Sequence, residues 1–421
     1  MRWIDDRTHP STARPEVFLV AGTRPEAIKL APVAAAMDGR GRLSPVLVAS
    51  GQHPTMVHQA LATFDLKPDV ELWLDRRSGD LGELASELLT QLDLLLEERP
   101  PAALVVQGDT MTAAIAGMTA FWRRIPVVHL EAGLRSHDLA SPFPEEASRK
   151  LIGQIAGLHL APTEAAASNL RAENHQGANV LTVGNTVVDA VLDTASREPK
   201  WGNADQVRDL YGRARRGESR IVLVTAHRRE SWGAPLGRIL RAVERIVREH
   251  DDIEVLLPVH PNPDVGVQVH AALAGMPRVA LTGPLPYDQL ACVLSVATLV
   301  LSDSGGIQEE APSFRVPVLV LREVTERTEA VDAGCAVLVG TDEELIVRLA
   351  RRLLTDEQAR QEMTACGNPF GDGRAAMRTE QATAWLLGLH DAPPRPFCPS
   401  TPEGRAPVPV PDQRRGDVVR A

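Results

Sequence analysis

Cysteine, lysine and aromatic residues are all scarce in this chain. The four cysteines among 421 residues, at 292, 335, 366 and 398, stand far apart and form neither a CxxC pair nor a zinc-ligand spacing. That excludes a disulfide scaffold and the usual structural zinc sites. Lysine supplies only four of the 45 basic residues, and acids outnumber bases to leave a formal charge of −10. No general electrostatic hold on nucleic acid or on an anionic membrane is expected from such a surface. Aromatic residues make up 4%, so the core has to be built from Leu, Val, Ile and Ala. No apolar run approaches the roughly 20 residues that cross a bilayer, and Met1–Arg14 lacks the apolar stretch of a signal peptide. There is no Walker-type glycine–lysine loop, no HExxH, and no GxGxxG after the first strand, where the chain reads GTRPE instead. Gly39-Arg40-Gly41 lacks a third glycine and precedes a strand, so it reads as a turn. The absences leave a reduced, cytoplasmic enzyme without a metal or a redox cofactor, and with no nucleic-acid or membrane partner.

What is present is ordinary globular material, 44% apolar and 24% charged, at a length that suits two domains. Short β-branched runs alternate with longer helical patterns. The predicted strands are 17–20, 45–48, 103–106, 127–130, 158–160, 180–183, 221–224, 254–258, 279–281, 299–301 and 318–321, with helices such as 27–37, 84–98 and 235–250 between them. Strand, helix, strand at this spacing means α/β folding with parallel sheets covered on both faces. A polar stretch around 195–220 interrupts the alternation. The expected organisation is a flexible tail (1–15), a Rossmann-like doubly wound domain (16–195), a second such domain (196–368), a C-terminal helix (369–390) and a disordered Pro/Arg-rich tail (391–421), with the two domains facing a central cleft.

Chemistry-bearing residues follow the strands. After successive strands come Arg24, Asp109, Glu131, His227, the Gly305-Gly306 turn and Arg327. In open parallel sheets ligands bind at the carboxyl ends of strands, so seven residues at corresponding places outweigh the bland reading of each as a cap or a solvated charge. Gly305-Gly306 opens a helix and suits an anion, through bare amides and the helix dipole. Lys29, one of four lysines, follows Arg24 on the first helix. Glu145 and Glu146 fall in the first turn of a helix that prolines introduce, where interaction with the helix dipole would also explain them. Beside Asp109 and Glu131 they would form a cluster of acids suited to proton transfer near neutral pH.

At these residues the chain resembles the non-hydrolysing UDP-N-acetylglucosamine 2-epimerases. The blocks are GTRPEAIKLAP (22–32), QGDT (107–110), HLEAGLRS (129–136), PFPEEASR (142–149), GNTVVDA (184–190), TAHRRES (225–231), PVHPNP (258–263), SDSGGIQEEAPS (302–313) and VLREVTERTEA (320–330), spread over about residues 16–390. The resemblance implies two Rossmann-like domains of glycosyltransferase-B-like architecture, a UDP-sugar substrate, no metal or cofactor, and a homodimer. It implies interconversion of UDP-GlcNAc and UDP-ManNAc by elimination of UDP, a 2-acetamidoglucal intermediate and re-addition, a step in cell-surface polysaccharide synthesis. By motif position Asp109, Glu131, Glu145 and His227 match catalytic residues. Arg24, Lys29, Arg135, Ser304, Gly305, Gly306, Glu310 and Arg327 match substrate-binding ones, and Gln52 and His260 match a second UDP-sugar site. The residues after Gln52-His53 depart from the family's polar pattern. Three other readings share the architecture: an epimerase of another UDP-2-acetamido sugar, a hydrolysing relative that releases the free sugar, and a retaining UDP-sugar glycosyltransferase, which would not need the acid cluster. A sensor that binds the nucleotide sugar without turning it over would leave the acids and His227 without a role.

Overall fold

The residues that form the first strand, Glu16–Ala21 (β1), show how the sheet is built. Val17, Leu19 and Ala21 pack into one apolar cluster while Phe18 and Val20 pack into another, the period-two alternation of a strand covered on both faces. On the first face lie the helices Arg24–Arg40, Pro54–Ala62 and Ala375–Leu386; on the second, Leu84, Leu88, Leu92 and Leu96 of the helix Leu81–Glu98 and the alanines of the helix Met111–Trp122. The computed structural model describes residues 14–175, 179–228 and 231–399.

Two compact units result. The first takes the chain up to Asn203 together with Leu285–Val293 and Phe370–Cys398; the second takes Ala204–Pro284 and Leu294–Pro369. In the first, β1 is joined by β2 (Ser44–Ala49), β3 (Val70–Glu71), β4 (Ala103–Gln107), β5 (Val127–Leu130), β6 (Leu158–Ala161) and β7 (Val180–Thr182), all parallel in the order β3-β2-β1-β4-β5-β6-β7. The second holds β8 (Arg220–Thr225), β9 (Ile253–Pro258), β10 (Val279–Thr282), β11 (Ala297–Ser302), β12 (Val318–Val320) and β13 (Ala336–Leu338), parallel in the order β10-β9-β8-β11-β12-β13. Each is a doubly wound sheet whose order reverses beside its first strand, at β1/β4 and at β8/β11, where such sheets bind ligands.

All eleven expected strands are present to within two residues. β3 and β13 are additional edge strands of two and three residues; β3 has no apolar run, whereas β13 lies in the run Cys335–Val339, which the sequence reading passed over. The domain boundaries need correction. The helix expected as a separate C-terminal element packs on the first unit. The buried Asp189 carboxylate accepts the Ala375 and Ala376 amides at 3.1 and 2.9 Å, and Arg42 pairs with the fully buried Glu380. Residues 285–293 also belong to the first unit, with the Tyr287 ring 6.3 Å from Phe64 and Gln289 Nε2 donating to Lys200 O at 3.0 Å. Residues 391–399, expected to belong to the tail, lie against the first unit at Phe397. Phe397 is buried, its amide donates to Thr182 O at 2.7 Å, and the Arg378 guanidinium lies 5.6 Å from its ring centre. The remainder of both expected tails, 1–13 and 400–421, lies outside the described residues. Among the described residues no helix is long and apolar enough to cross a membrane.

Candidate active site

In the first unit four segments are tied together by ionised side chains. Glu131 follows β5 with φ +63°, a left-handed conformation that costs a residue with a Cβ about 1–2 kcal/mol. The strain turns its carboxylate into the unit, where Oε2 meets Lys29 Nζ at 2.5 Å and accepts from Gln107 Nε2. Lysine and glutamate are both buried, so each supplies the charge partner without which burial would be costly. Asp109 Oδ2 lies 2.6 Å from Arg149 Nη2, and Arg149 Nη1 lies 3.5 Å from the fully buried Glu146. Glu146 accepts the Ser136 and His137 amides at 3.0 and 3.3 Å, so it holds the loop before the helix Glu145–Ile155. Its neighbour Glu145 carries an Oε2 that is shielded from solvent and has no hydrogen-bond partner among the described residues. A buried carboxylate oxygen in that state is rare and points to a use.

The Asp109 loop is also held from below. His129 Nε2 lies 2.7 Å from Gly108 O, and burial pushes the imidazole down to about 4, so the ring is neutral and donates its Nε2 proton there. Arg24 sits half-buried at the head of its helix and makes no ion pair among the described residues. Gln52 accepts from Thr112 Oγ1 at 2.7 Å, on the loop after β2.

The second unit gathers a different set. Asp303, fully buried after β11, accepts the His227 and Arg228 amides at 2.9 Å each, and its Oδ1 lies 3.3 Å from His227 Nδ1. The imidazole is half-exposed, and Asp303 Oδ1 makes no hydrogen bond among the described residues, so Asp303 holds this loop through its backbone amides. Ser304 precedes the short helix Gly305–Glu310. A Cβ on Gly305 would stand 3.5 Å from the Arg327 guanidinium carbon, so the arginine lies close over the helix start. Arg327 Nε donates to the buried Glu309 at 2.8 Å, Nη1 pairs with Glu326 at 3.0 Å, and Asn368 Nδ2 holds Glu309 O at 2.8 Å. Glu310 is buried in the last turn of the same helix. His260 accepts the Asn262 amide at 3.1 Å, its ring 5.8 Å from Trp232. Arg229 and Glu230 of the same motif as His227 lie outside the described residues.

Arg135 is engaged within the first unit. Its guanidinium is fully buried and engaged by both oxygens of Glu173 at 2.7 and 2.8 Å and by Leu134 O, which makes it a structural ion pair. The same arginine holds the Glu173 carboxyl down at about 2. Sequence reasoning passed over Gln107 and Arg149, which contact the Glu131 and Asp109 carboxylates, and Asp303, which holds the His227 backbone; all three lie inside the recognised motifs, and only their contacts reveal them. Among the described residues no group of three or more His, Cys, Asp or Glu side chains is placed to hold a metal ion.

One doubly wound unit holds buried carboxylates beside a lysine, and the other a glycine turn beside an arginine, which is the make-up of a two-unit α/β protein with parallel sheets. The chain belongs to the UDP-N-acetylglucosamine 2-epimerase family, whose model matches residues 35–383. A Bacillus subtilis UDP-N-acetylglucosamine 2-epimerase is 40% identical over 382 residues, covering 91% of this chain and 98% of that protein. Among solved structures, the S. aureus MnaA–UDP co-structure superposes with a TM-score of 0.80 at 37% identity, covering 91% of this chain and all of that one. The Neisseria meningitidis UDP-GlcNAc 2-epimerase bound to UDP-GlcNAc gives 0.75 at 36%, covering 86% and 97%.

Proposed function

We infer that this protein interconverts UDP-GlcNAc and UDP-ManNAc without hydrolysing them. The observation that carries the reading is the set of acids in the first unit: Asp109 and Glu131 are held by cations, and Glu145 keeps a buried oxygen without a hydrogen-bond partner among the described residues. The names of its relatives support the same reading.

The chemistry needs such acids. The C2 hydrogen of the sugar is not beside a carbonyl and is hard to remove directly. When the anomeric C1–O bond to UDP breaks, its electron pair leaves with the diphosphate and C1 becomes cationic. The C2 proton is then acidic enough for a carboxylate to take. Loss of that proton gives 2-acetamidoglucal and free UDP, and protonation at C2 from the other face with return of UDP to C1 gives the epimer. Asp109, Glu131 and Glu145 share the two proton transfers. Arg24 and His227 stabilise the departing diphosphate, which the Ser304-Gly305-Gly306 turn, Glu310 and Arg327 hold through its phosphates and nucleoside. Lys29 keeps Glu131 in place. Gln52 and His260 belong to a second UDP-sugar position.

The cytoplasmic placement and the homodimer expected from sequence belong to the same proposal. Exposed Leu94, Phe121, Trp122 and Leu151 on the neighbouring helices Leu81–Glu98, Met111–Trp122 and Glu145–Ile155 support a paired face on the first unit.

Purified protein incubated with UDP-GlcNAc alone in D2O and followed by NMR tests the reading. Deuterium at C2 with UDP-ManNAc appearing is the expected result. Free ManNAc would mean hydrolysis, and turnover only with an added acceptor would mean glycosyl transfer; either overturns it. Faster exchange on a different UDP-2-acetamido sugar would reassign the substrate while keeping the chemistry.

A further inference from the structure

The loops after β1 and β4 flank the strand-order switch of the first sheet, and a side chain outside the matched set joins them. Glu26 is 1% exposed. Its Oε2 accepts the Gly22 amide at 3.0 Å, the Thr23 amide at 2.7 Å and the Thr23 hydroxyl at 2.8 Å. Its Oε1 accepts the Thr110 hydroxyl at 2.6 Å, and Thr110 Oγ1 in turn accepts the Ala113 amide at 3.0 Å and caps the helix Met111–Trp122. Arg24 lies two residues before Glu26, and Asp109 immediately precedes Thr110.

Capping the helix Arg24–Arg40 requires only the bond back to the Thr23 amide. The second oxygen goes 84 residues along the chain, to the loop that carries Asp109. The β1 loop has little room to move in response. A Cβ on Gly22 would come within 2.1 Å of Thr112 Oγ1 and 2.7 Å of Ser50 Oγ, and Gly22 O accepts the His53 amide at 2.9 Å. One carboxylate therefore joins the β1 loop, held at Gly22, to the β4 loop, held at Asp109 by Arg149 and at Gly108 by His129.

We propose that Glu26 is a positioning residue for the epimerisation: by drawing Thr110 against the Gly22–Thr23 backbone it fixes Asp109 relative to Arg24 for the C2 proton transfer. The proposal rests on the epimerase reading. Because proton transfer is intolerant of misplacement, with about 1 Å costing on the order of 100-fold, removing the clamp affects turnover more than binding.

The test uses the full chain with Glu26→Gln, Thr110→Val and Thr110→Ser, measuring kcat, KM and C2 deuterium uptake on UDP-GlcNAc, with UDP affinity and thermal midpoint alongside. Glu26→Gln is expected to lose roughly 30- to 100-fold in kcat with KM and UDP affinity within about threefold of the parent. Thr110→Val reproduces that loss, and Thr110→Ser, which keeps the hydroxyl, recovers most of it. A folded Glu26→Gln protein with kcat within about threefold of the parent overturns the proposal. So does a Thr110→Ser protein no better than Thr110→Val, a comparison that decides the matter even when Glu26→Gln fails to fold. Loss shared equally by kcat, UDP affinity and thermal midpoint also overturns it, since that is what a purely structural clamp would give. Absence of C2 exchange in the parent protein would sink the epimerase reading itself.

Discussion

The two units close the same gap in opposite ways. In the first, the switch between β1 and β4 is bridged by Glu26, a carboxylate from the helix that follows β1, which takes up the Gly22 and Thr23 amides. In the second, the switch between β8 and β11 is bridged by Asp303, a carboxylate from the loop after β11, which takes up the His227 and Arg228 amides. Thr225 and Ser302 add a hydroxyl bond of 2.7 Å across the same switch. In both units the amides of the loop after the first strand are thus engaged by the protein's own carboxylate. In the second, the helix after β11 begins with two glycines under Arg327 and carries no internal acid at its start. First-turn amides have no partner within a helix, so that end remains suited to a diphosphate. The two sheets reverse order at the corresponding place, the first carrying one strand more, and they differ in the loop that supplies the bridging acid.

The largest expected effect sharpens this division. Asp109→Asn should lower C2 deuterium uptake by about 100-fold or more, while the affinity for UDP, measured by calorimetry, stays near that of the parent. A comparable loss of UDP affinity would break the division by showing that the acids also hold the nucleotide. Arg327→Ala should show the converse, weakening UDP by roughly 10- to 100-fold, as expected for a lost charge-assisted contact. The smallest effect is a pH dependence confined to the first unit. Burial holds the Asp189 carboxyl up at about 6 against an ordinary 3.8. The unfolded chain therefore releases this proton before the folded one does, and its contribution to stability is lost as pH rises from about 4 through 6. Asp189→Asn removes that loss, so its stability relative to the parent, read by urea denaturation, should improve by roughly 1–3 kcal/mol over the same range. His129 and His159, pushed down to about 4 and 3 by burial, act with the opposite sign below their unfolded values, which is why the difference between variants is the quantity to read.

Much of the architecture was legible in the linear chain. Parallel strands covered on both faces read as apolar, often β-branched runs, and eleven of these were visible; of the two missed, β3 is a two-residue edge piece without such a run, while β13 lies in the apolar run Cys335–Val339. The residues at strand ends were legible because an open parallel sheet puts those ends on one edge. Arg135 shows the limit. It sits in a recognised motif, yet its guanidinium belongs to Glu173, which stands 38 residues away.

The amino-acid order alone determined the alternation of strand and helix, the loops that carry acids, glycines and arginines, and the family, because each of these is written in local spacing. Folding decided which carboxylate meets which donor: Glu131 with Lys29 across 102 residues, Glu26 with Thr110 across 84, and Asp189 with Ala375 across 186. Folding also returned residues 285–293 and 370–398 to the first unit. Such choices follow from desolvation, since a buried charge must find its partners wherever the packed chain brings them, and sequence separation does not constrain that.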